Sequence, residues 1–546
     1  MTWKRRAFLA GLSGRFGAAL LGRKAEAQGT HGAQHGPDGT QYFGSPAGQG
    51  SMMYSQGGET VMSFRTAMVV LLGVALAGCA SVSPDGGFSD VRELVGKRAA
   101  LKPQWNRNTE DDKAAEKAVA DLLAKPLTPE AAVQVGLLEN RGLQATYAEL
   151  GVSQADMVQA GMLSNPVFSG TWYRSSEGYK FEESLTFNFM SLLLLPMRKK
   201  MAAAQYEQVK AKVGFAIVEF VADTKAAYYR AVAARQTVAF MARAATSAEA
   251  AAELAQRQRE AGALGARDLA RQVAFSAETQ TQLARARQTA VAEREKLLRQ
   301  LGLAVATRLL LPDRLPDATQ GNWNSANVES LALDQRLDIE AAKRDLDVAG
   351  QAAGITNLTR FVNIQAIGVA QERESGQAVK TGPVLELELP IFDWGSAKVA
   401  RAQTLIRESG DRLVETVVRV RSEVRERIAD VETMGDVLKR QQATILPMRE
   451  RIVKETQLLY NGMLEGIYTL LNDYREGVLA GRDYIDAQRD YWIAIAQLER
   501  ATGGRLPQRA ESNALSSSRD ARVQAPVAPP ISVSQLPSDA VKGNTP

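Results

Sequence analysis

The chain has 546 residues, a formal charge of +5, 45% hydrophobic residues and only 6% aromatic ones. That length exceeds what one compact core needs, so two domains or an extended architecture is expected. Acidic and basic residues interleave along apparent helices, which marks solvated helical faces rather than a nucleic-acid footprint. The single cysteine excludes an internal disulfide framework. Histidine occurs only as His31 and His35, within a Gly/Gln-rich N-terminal stretch. If that stretch is absent from the mature protein, a Ser-His-Asp triad, a Cys-His dyad and a histidine metal site are all excluded. With no phosphate or metal motif either, the expectation is a protein that is not an enzyme and has no cofactor and no metal site.

Residues 1–61 begin "MTWKRRAFLAGL", in which Arg5-Arg6 followed by Phe8-Leu9 looks like a twin-arginine export signal, with Ala25-Glu26-Ala27 as its cleavage site. From Met62, "MSFRTAMVVLLGVALAGC" shows one arginine, an apolar run from Ala67 to Ala77, then small residues: a signal-peptide pattern over 62–78. The run is about eleven residues, and a bilayer core takes ~20 helical residues. Two export signals in tandem make little mechanical sense. Residues 1–61 are therefore expected to be a mis-called extension, with translation from Met62, Met52 or Met53, or else disordered; a histidine-bearing metal tail is the other reading. Leu76-Ala77-Gly78-Cys79 resembles the bacterial lipobox. The resemblance implies that Cys79 carries a covalent lipid, palmitate among its acyl chains, and is the first residue of the mature chain. Ala80 and Ser81 are, by the same resemblance, compatible with sorting to the outer membrane.

Residues 79–126 mix Gly, Pro and charge with little periodicity and read as a tether or an equatorial, collar-packing segment. Two repeats follow, 127–310 and 311–504, and then a Pro/Ser-rich tail, 505–546, expected to be disordered. The repeat is visible where "RGLQATYAELGVSQADMVQAG" (141–161) matches "LDIEAAKRDLDVAGQAAGITN" (337–357) at an offset of 196, pairing Ala145/Ala341, Leu150/Leu346 and Val152/Val348. Downstream, "REAGAL" around Gly262 answers "LYNGML" around Gly462. Each half reads as helix, two strands, very long helix, glycine break and second long helix.

The predicted strands alternate. Leu385, Leu387 and Leu389 oppose Val384, Glu386 and Glu388; Leu185, Phe187 and Phe189 oppose Ser184, Thr186 and Asn188; Val362, Ile364 and Ala366 oppose Asn363 and Gln365. Period two suits a half-buried soluble strand, and it equally suits a membrane barrel strand with lipid on one side and water on the other. Trp172, Tyr173, Phe392 and Trp394 near the expected strand ends favour the barrel. Between Arg198 and Ala261 there is no proline, and Val209, Val213, Ile217 and Phe220 form a stripe; Leu413, Val417, Val420, Val424 and Ile428 form another. Sixty helical residues extend ~90 Å, more than a globular domain needs. Pro447 is expected to kink the second-half helix.

These features together resemble the outer-membrane efflux factors, the TolC-type ducts. The resemblance rests on "LTPEAAVQVGLLENRGLQATYAELGVSQADMVQAGMLSNPVF" (127–168), with Ala160-Gly161 and Asn165-Pro166 as a signature, on "LELELPIFDWGSAKVARAQ" (385–403), and on the C-terminal helix pair from 460 to 504. It implies a mostly α, α+β chain with two internal repeats, in which a long α-helical barrel joins transmembrane β-barrel strands in a homotrimer. It further implies a lipid-anchored outer-membrane efflux channel extending into the periplasm, a passive transport duct partnered by a periplasmic adaptor (membrane fusion) protein, an inner-membrane pump and outer-membrane lipid. Gly161, Pro166, Pro196, Pro390 and Gly395 fall where strands hand over to helices. Gly262 and Gly462 mark the periplasmic tips that meet the adaptor, and Glu465, Tyr468 and Asp473 are the candidate gate residues. The stretch after Gly462 is one residue longer than the family pattern, so a solvated helix surface is the competing reading for those three. An adaptor or a structural coiled-coil lipoprotein is the alternative for the whole chain; the internal duplication argues against it.

Overall fold

The computed structural model describes residues 82–99, 102–107, 109–176, 178–303, 309–318, 325–360, 363–504 and 506. The export signals, Cys79 and, apart from Leu506, the Pro/Ser tail lie outside the described residues.

Two helices open the described chain, α1 (Phe88–Ala99) and α2 (Glu110–Leu123), in the segment read as tether or collar. Phe88, Val91 and Val95 recur at helical spacing and are buried against Tyr147, Val213 and Ile217. The segment thus packs on the helices that follow.

The first half then runs α3 (Pro129–Glu139), α4 (Arg141–Ala160), β1 (Val167–Ser175), β2 (Gly178–Phe187), α5 (Phe189–Leu193), α6 (Leu195–Glu260) and α7 (Ala266–Leu301). The second runs α8 (Ser325–Gln335), α9 (Leu337–Thr359), β3 (Asn363–Glu374), β4 (Lys380–Glu388), α10 (Ser396–Arg440), a π turn (Gln441–Ile445), α11 (Leu446–Asn461) and α12 (Ile467–Ala501). The order of elements repeats as expected. α6 has 66 residues, and α10, the π turn and α11, with 45, 5 and 16, together span the same number. Each path is therefore about 100 Å long at 1.5 Å per residue. Among the described residues no helix is long and apolar enough to cross a membrane.

The repeat offset is not constant. It is 196 from Arg141 to Leu337 but 201 from Leu195 to Ser396, because β3 and the turn after it are longer than β1 and its turn. At Pro447 the structure shows a π turn rather than a plain continuation of the helix. Pro447 lacks the amide that the carbonyl four residues earlier would accept, and the helix absorbs the defect as the π turn just before it.

Both predicted stripes face the interior. Val213 and Ile217 are fully buried with α1 and α4, and Val420, Val424 and Ile428 are buried against Val328 and Ala332 of α8 and Tyr491 and Leu498 of α12. A third cluster joins Tyr229, Phe240 and Met241 of α6 to Leu297 and Leu301 of α7 and Val478 and Ile485 of α12. Arg336 ties α8 to these helices. Its guanidinium, almost wholly buried, forks onto Asp338 (2.9 and 2.7 Å) and donates to Glu423 (2.6 Å) and to the Ala501 carbonyl (3.3 Å). Arg500 donates to the other oxygen of Glu423 at 2.8 Å. A buried cation with every partner in place specifies one arrangement of the helices; removing a partner would leave an uncompensated charge.

Candidate functional site

The four strands form one antiparallel sheet in the order β1-β2-β3-β4. Register pairs Phe168 with Leu185, Trp172 with Phe181, Leu185 with Val369, Phe187 with Ile367 and Ile367 with Leu385. Because side chains alternate, these residues and Leu387 share one face, and it is exposed: Trp172 is 65% accessible. The opposite face holds Ser169, Thr171, Lys180, Glu182, Ser184, Glu372, Lys380 and Glu386. Lys180 bridges Glu182 (2.6 Å) and Glu372 (3.4 Å), and Lys380 also reaches Glu372 (3.6 Å). Toward the hairpin turns, Arg373 and Glu183 (3.1 Å) place one ion pair on the apolar side. No strand of the described chain covers the outer edge of β1 or of β4, and such edges invite pairing with another chain.

Two strand expectations change. Phe189 is not in β2: Asn188 ends the strand, its side chain accepting the Ser191 amide at 2.7 Å as the N-cap of α5. A bulge between Ile364 and Ala366 pairs Ile364 with Leu387 and Ala366 with Glu386, so the two lie on opposite faces rather than together. Trp172 and Tyr173 lie in β1, three and two residues before its end. Phe392 and Trp394 follow the end of β4 by four and six residues.

The strand-to-helix turns use their small residues differently. Gly395 sits at φ +70° as the N-cap of α10, where its amide donates to Asp393 (2.8 Å) and a side chain would strain. Gly161 is the C-cap of α4 at φ −85°, an ordinary right-handed geometry, so the freedom expected there is not used. Pro166 immediately precedes β1, Pro196 opens α6, and Pro390 follows β4.

At the far end of the long helices, the two reversals share one backbone design. The Gly262 amide donates to Arg259 and the Ala263 amide to Gln258 (3.0 and 2.8 Å); Met463 donates to Tyr460 and Leu464 to Leu459 (3.0 and 2.9 Å). Both are Schellman closures, which need a left-handed residue just past the C-cap. In the first tip that residue is Gly262, at φ +74°. In the second it is Met463, at φ +59°, while Gly462 is the C-cap at φ −79°. Gly462 therefore corresponds to Ala261, and Met463 takes the strained position. Met463 is 94% exposed and Leu464 76%.

Just above the tips, side chains link the two hairpins. Arg475 of α12 donates to Glu278 of α7 at 2.8 Å and lies over the Phe275 ring at 5.4 Å. Arg271 of α7 covers the Tyr468 ring at 4.8 Å, and Phe275 meets Tyr474 edge to face at 5.8 Å. Of the three candidate gate residues, only Tyr468 takes part in these links. Asp473 instead accepts from Thr456 Oγ1 of α11 (2.6 Å), and Glu465, in the turn before α12, accepts from Thr469 of that helix (3.1 Å). Arg475, Glu278 and Arg271 were not among the residues expected from sequence. The available signal was Arg475 seven positions after Tyr468, on the same helix face. Among the described residues no group of three or more His, Cys, Asp or Glu is placed to hold a metal ion.

The chain carries a strand quartet with free edges on duplicated helical hairpins. The chain has the fold of the TolC-type outer-membrane efflux channels. It is similar to a membrane protein of Pseudomonas aeruginosa (18% identity, TM-score 0.61, covering 69% of this chain and 93% of that one). It is similar to CusC, described for its transmembrane channel formation (15%, 0.60, 69% and 92%), and to the outer membrane protein VceC of Vibrio cholerae (16%, 0.59, 69% and 96%). No family model and no curated protein matches the sequence.

Proposed function

We propose that the chain is the outer-membrane channel of a tripartite efflux system, a passive duct carrying toxic small molecules or metal ions to the exterior without chemistry of its own. The observation that carries this reading is an unclosed four-stranded sheet, apolar on one face and charged on the other, joined to hairpins about 100 Å long. Open strand edges are not tolerated in lipid. Three copies would supply twelve strands and close the barrel, with Trp172 and Leu385 toward lipid and Glu372 and Lys380 toward water. The helices then form the tunnel across the periplasm. Energy comes from an inner-membrane pump, and the exposed tips at Gly262 and Met463-Leu464 are where a periplasmic adaptor docks. Acylation of Cys79 anchors the mature chain to the outer membrane.

Deletion of the gene followed by a panel of copper, cobalt-zinc-cadmium, dyes and organic solvents tests the reading. Sensitisation to at least one class is expected. Unchanged resistance to all of them, or fractionation of the protein to the inner membrane or soluble periplasm, overturns it.

A further inference from the structure

The corner between α8 and α9 closes against the middle of α10 and the end of α12. Arg336 Nη1 donates there to the Ala501 carbonyl (3.3 Å), and a Cβ built on Gly503 would come within 3.1 Å of the Gln335 carbonyl. Beside this seam lies a cavity of about 570 Å³. Arg419, Glu423 and Arg427 line it from α10, spaced every four residues along one helix face. Arg500 of α12 and Phe215 of α6 line it as well.

The carboxylates of the cavity are already engaged. Both oxygens of Asp338 accept from Arg336, and those of Glu423 accept from Arg336 and Arg500. Glu426 pairs with Arg427 at 2.9 Å. Arg336 is spent on these partners and on the Ala501 carbonyl. The other three guanidiniums are not. Arg427 turns Nη1 to Asp430 (2.8 Å) and Nη2 to Glu426, and Arg500 turns Nη2 to Glu423 (2.8 Å) and Nη1 toward Glu219 (3.6 Å). The Nε of each is nonetheless buried with no hydrogen-bond acceptor among the described residues. Arg419 stands 3.8 Å from Asp338 and 3.5 Å from Glu415, beyond ordinary hydrogen-bond distance. Buried donors without partners are rare and call for a bound species to accept from them.

We propose that this cavity binds a small oxyanion of the phosphate class, held by Arg419, Arg427 and Arg500. Spare donors around acceptors already taken select an anion, and a guanidinium presents its N–H groups in a plane that matches two oxygens of such a group. The volume lies in the range of small-molecule sites. It leaves room for the organic part of a phosphate monoester against the Phe215 ring. The anion bridges α10 to α12 beside the α8–α9 corner, so its binding fastens the seam where α12 ends and α9 begins.

Isothermal titration calorimetry of the full chain in detergent micelles tests this, with inorganic phosphate as the probe in potassium chloride near neutral pH. Saturable binding of one phosphate per chain is expected, with a dissociation constant below about 1 mM. Arg419 is about half exposed, so Arg419→Gln leaves the fold in place; it and Arg427→Gln should each weaken binding at least about tenfold. Arg412, exposed on the same helix and paired with Glu408 outside the cavity, is the control: Arg412→Gln should bind like the wild type. Acetate, with one charge and two oxygens, should bind at least about tenfold more weakly than phosphate. Absence of saturable phosphate binding by the wild type overturns the proposal and leaves the cavity to water or to a second copy of the chain. Equal weakening in Arg412→Gln also overturns it, because it marks unspecific attraction to a basic helix, and so does acetate binding as tight as phosphate.

Discussion

Arg475 and Glu278 meet at 2.8 Å between α12 and α7, close above the two tips, and join the hairpin of one repeat to that of the other. Both side chains are about half exposed, so the pair adds little stability; exposed pairs contribute roughly 0.2–1 kcal/mol. Its geometric effect is larger, because it and the Arg271–Tyr468 contact bind the tip end of one hairpin to the other.

Arg475→Glu or Glu278→Arg alone is expected to raise single-channel conductance in planar bilayers, and the double swap to return it toward the wild-type value. Thermal stability of either single variant should fall by less than about 1 kcal/mol. Conductance that does not change in either single variant would remove this link from any role at the tip.

Met463 holds a left-handed backbone that costs a side-chain-bearing residue about 1–2 kcal/mol relative to glycine. Met463→Gly is expected to stabilise the hairpin by about 1 kcal/mol in urea denaturation. The same change removes the most exposed apolar side chain of the tip, so chemical cross-linking to an adaptor should decline. Strain retained at an exposed apex is a pattern of functional sites.

Gly481 of α12 lies flush against Phe240 of α6, and a Cβ built there would sit 2.3 Å from the ring edge. Gly481→Ala is expected to lower the unfolding free energy by about 1–3 kcal/mol through overpacking. Phe240→Leu in the same chain should recover part of that loss. Chemical denaturation of the two single variants and the double variant separates the contributions.

Burial pushes the Tyr228 phenol up to about 12, with the nearby Glu130 adding to the effect. Its hydroxyl donates to the Leu127 carbonyl at 2.8 Å. A raised folded value means the neutral phenol stabilises the fold fully below the unfolded value of 10.0, and that contribution is lost as pH rises toward 12. The wild type should therefore lose melting temperature more steeply than Tyr228→Phe between pH 10 and 12. At pH 8 the variant should be less stable by about 1 kcal/mol, the worth of one hydrogen bond.

The duplication, the great length of the helices and the alternation of the strands are written in the sequence itself. Heptad stripes such as Val420, Val424 and Ile428, proline-free runs and period-two patterns are local signals, and local signals survive without any knowledge of what packs where. Pro447 was legible for the same reason, since its missing amide is a property of one residue.

What only the tertiary structure decided is where residues distant in sequence come to lie together. The bulge that separates Ile364 from Ala366 depends on the register with β4, and the strand end at Asn188 depends on a competing helix cap. The shift of the repeat offset from 196 to 201 accumulates in a hairpin, so the left-handed position of the second tip falls on Met463 although a glycine stands next to it. Arg475, Glu278 and Arg271 became partners because two hairpins of equal length run side by side and end together. Equal length is encoded along the chain; the contacts it creates exist only across it.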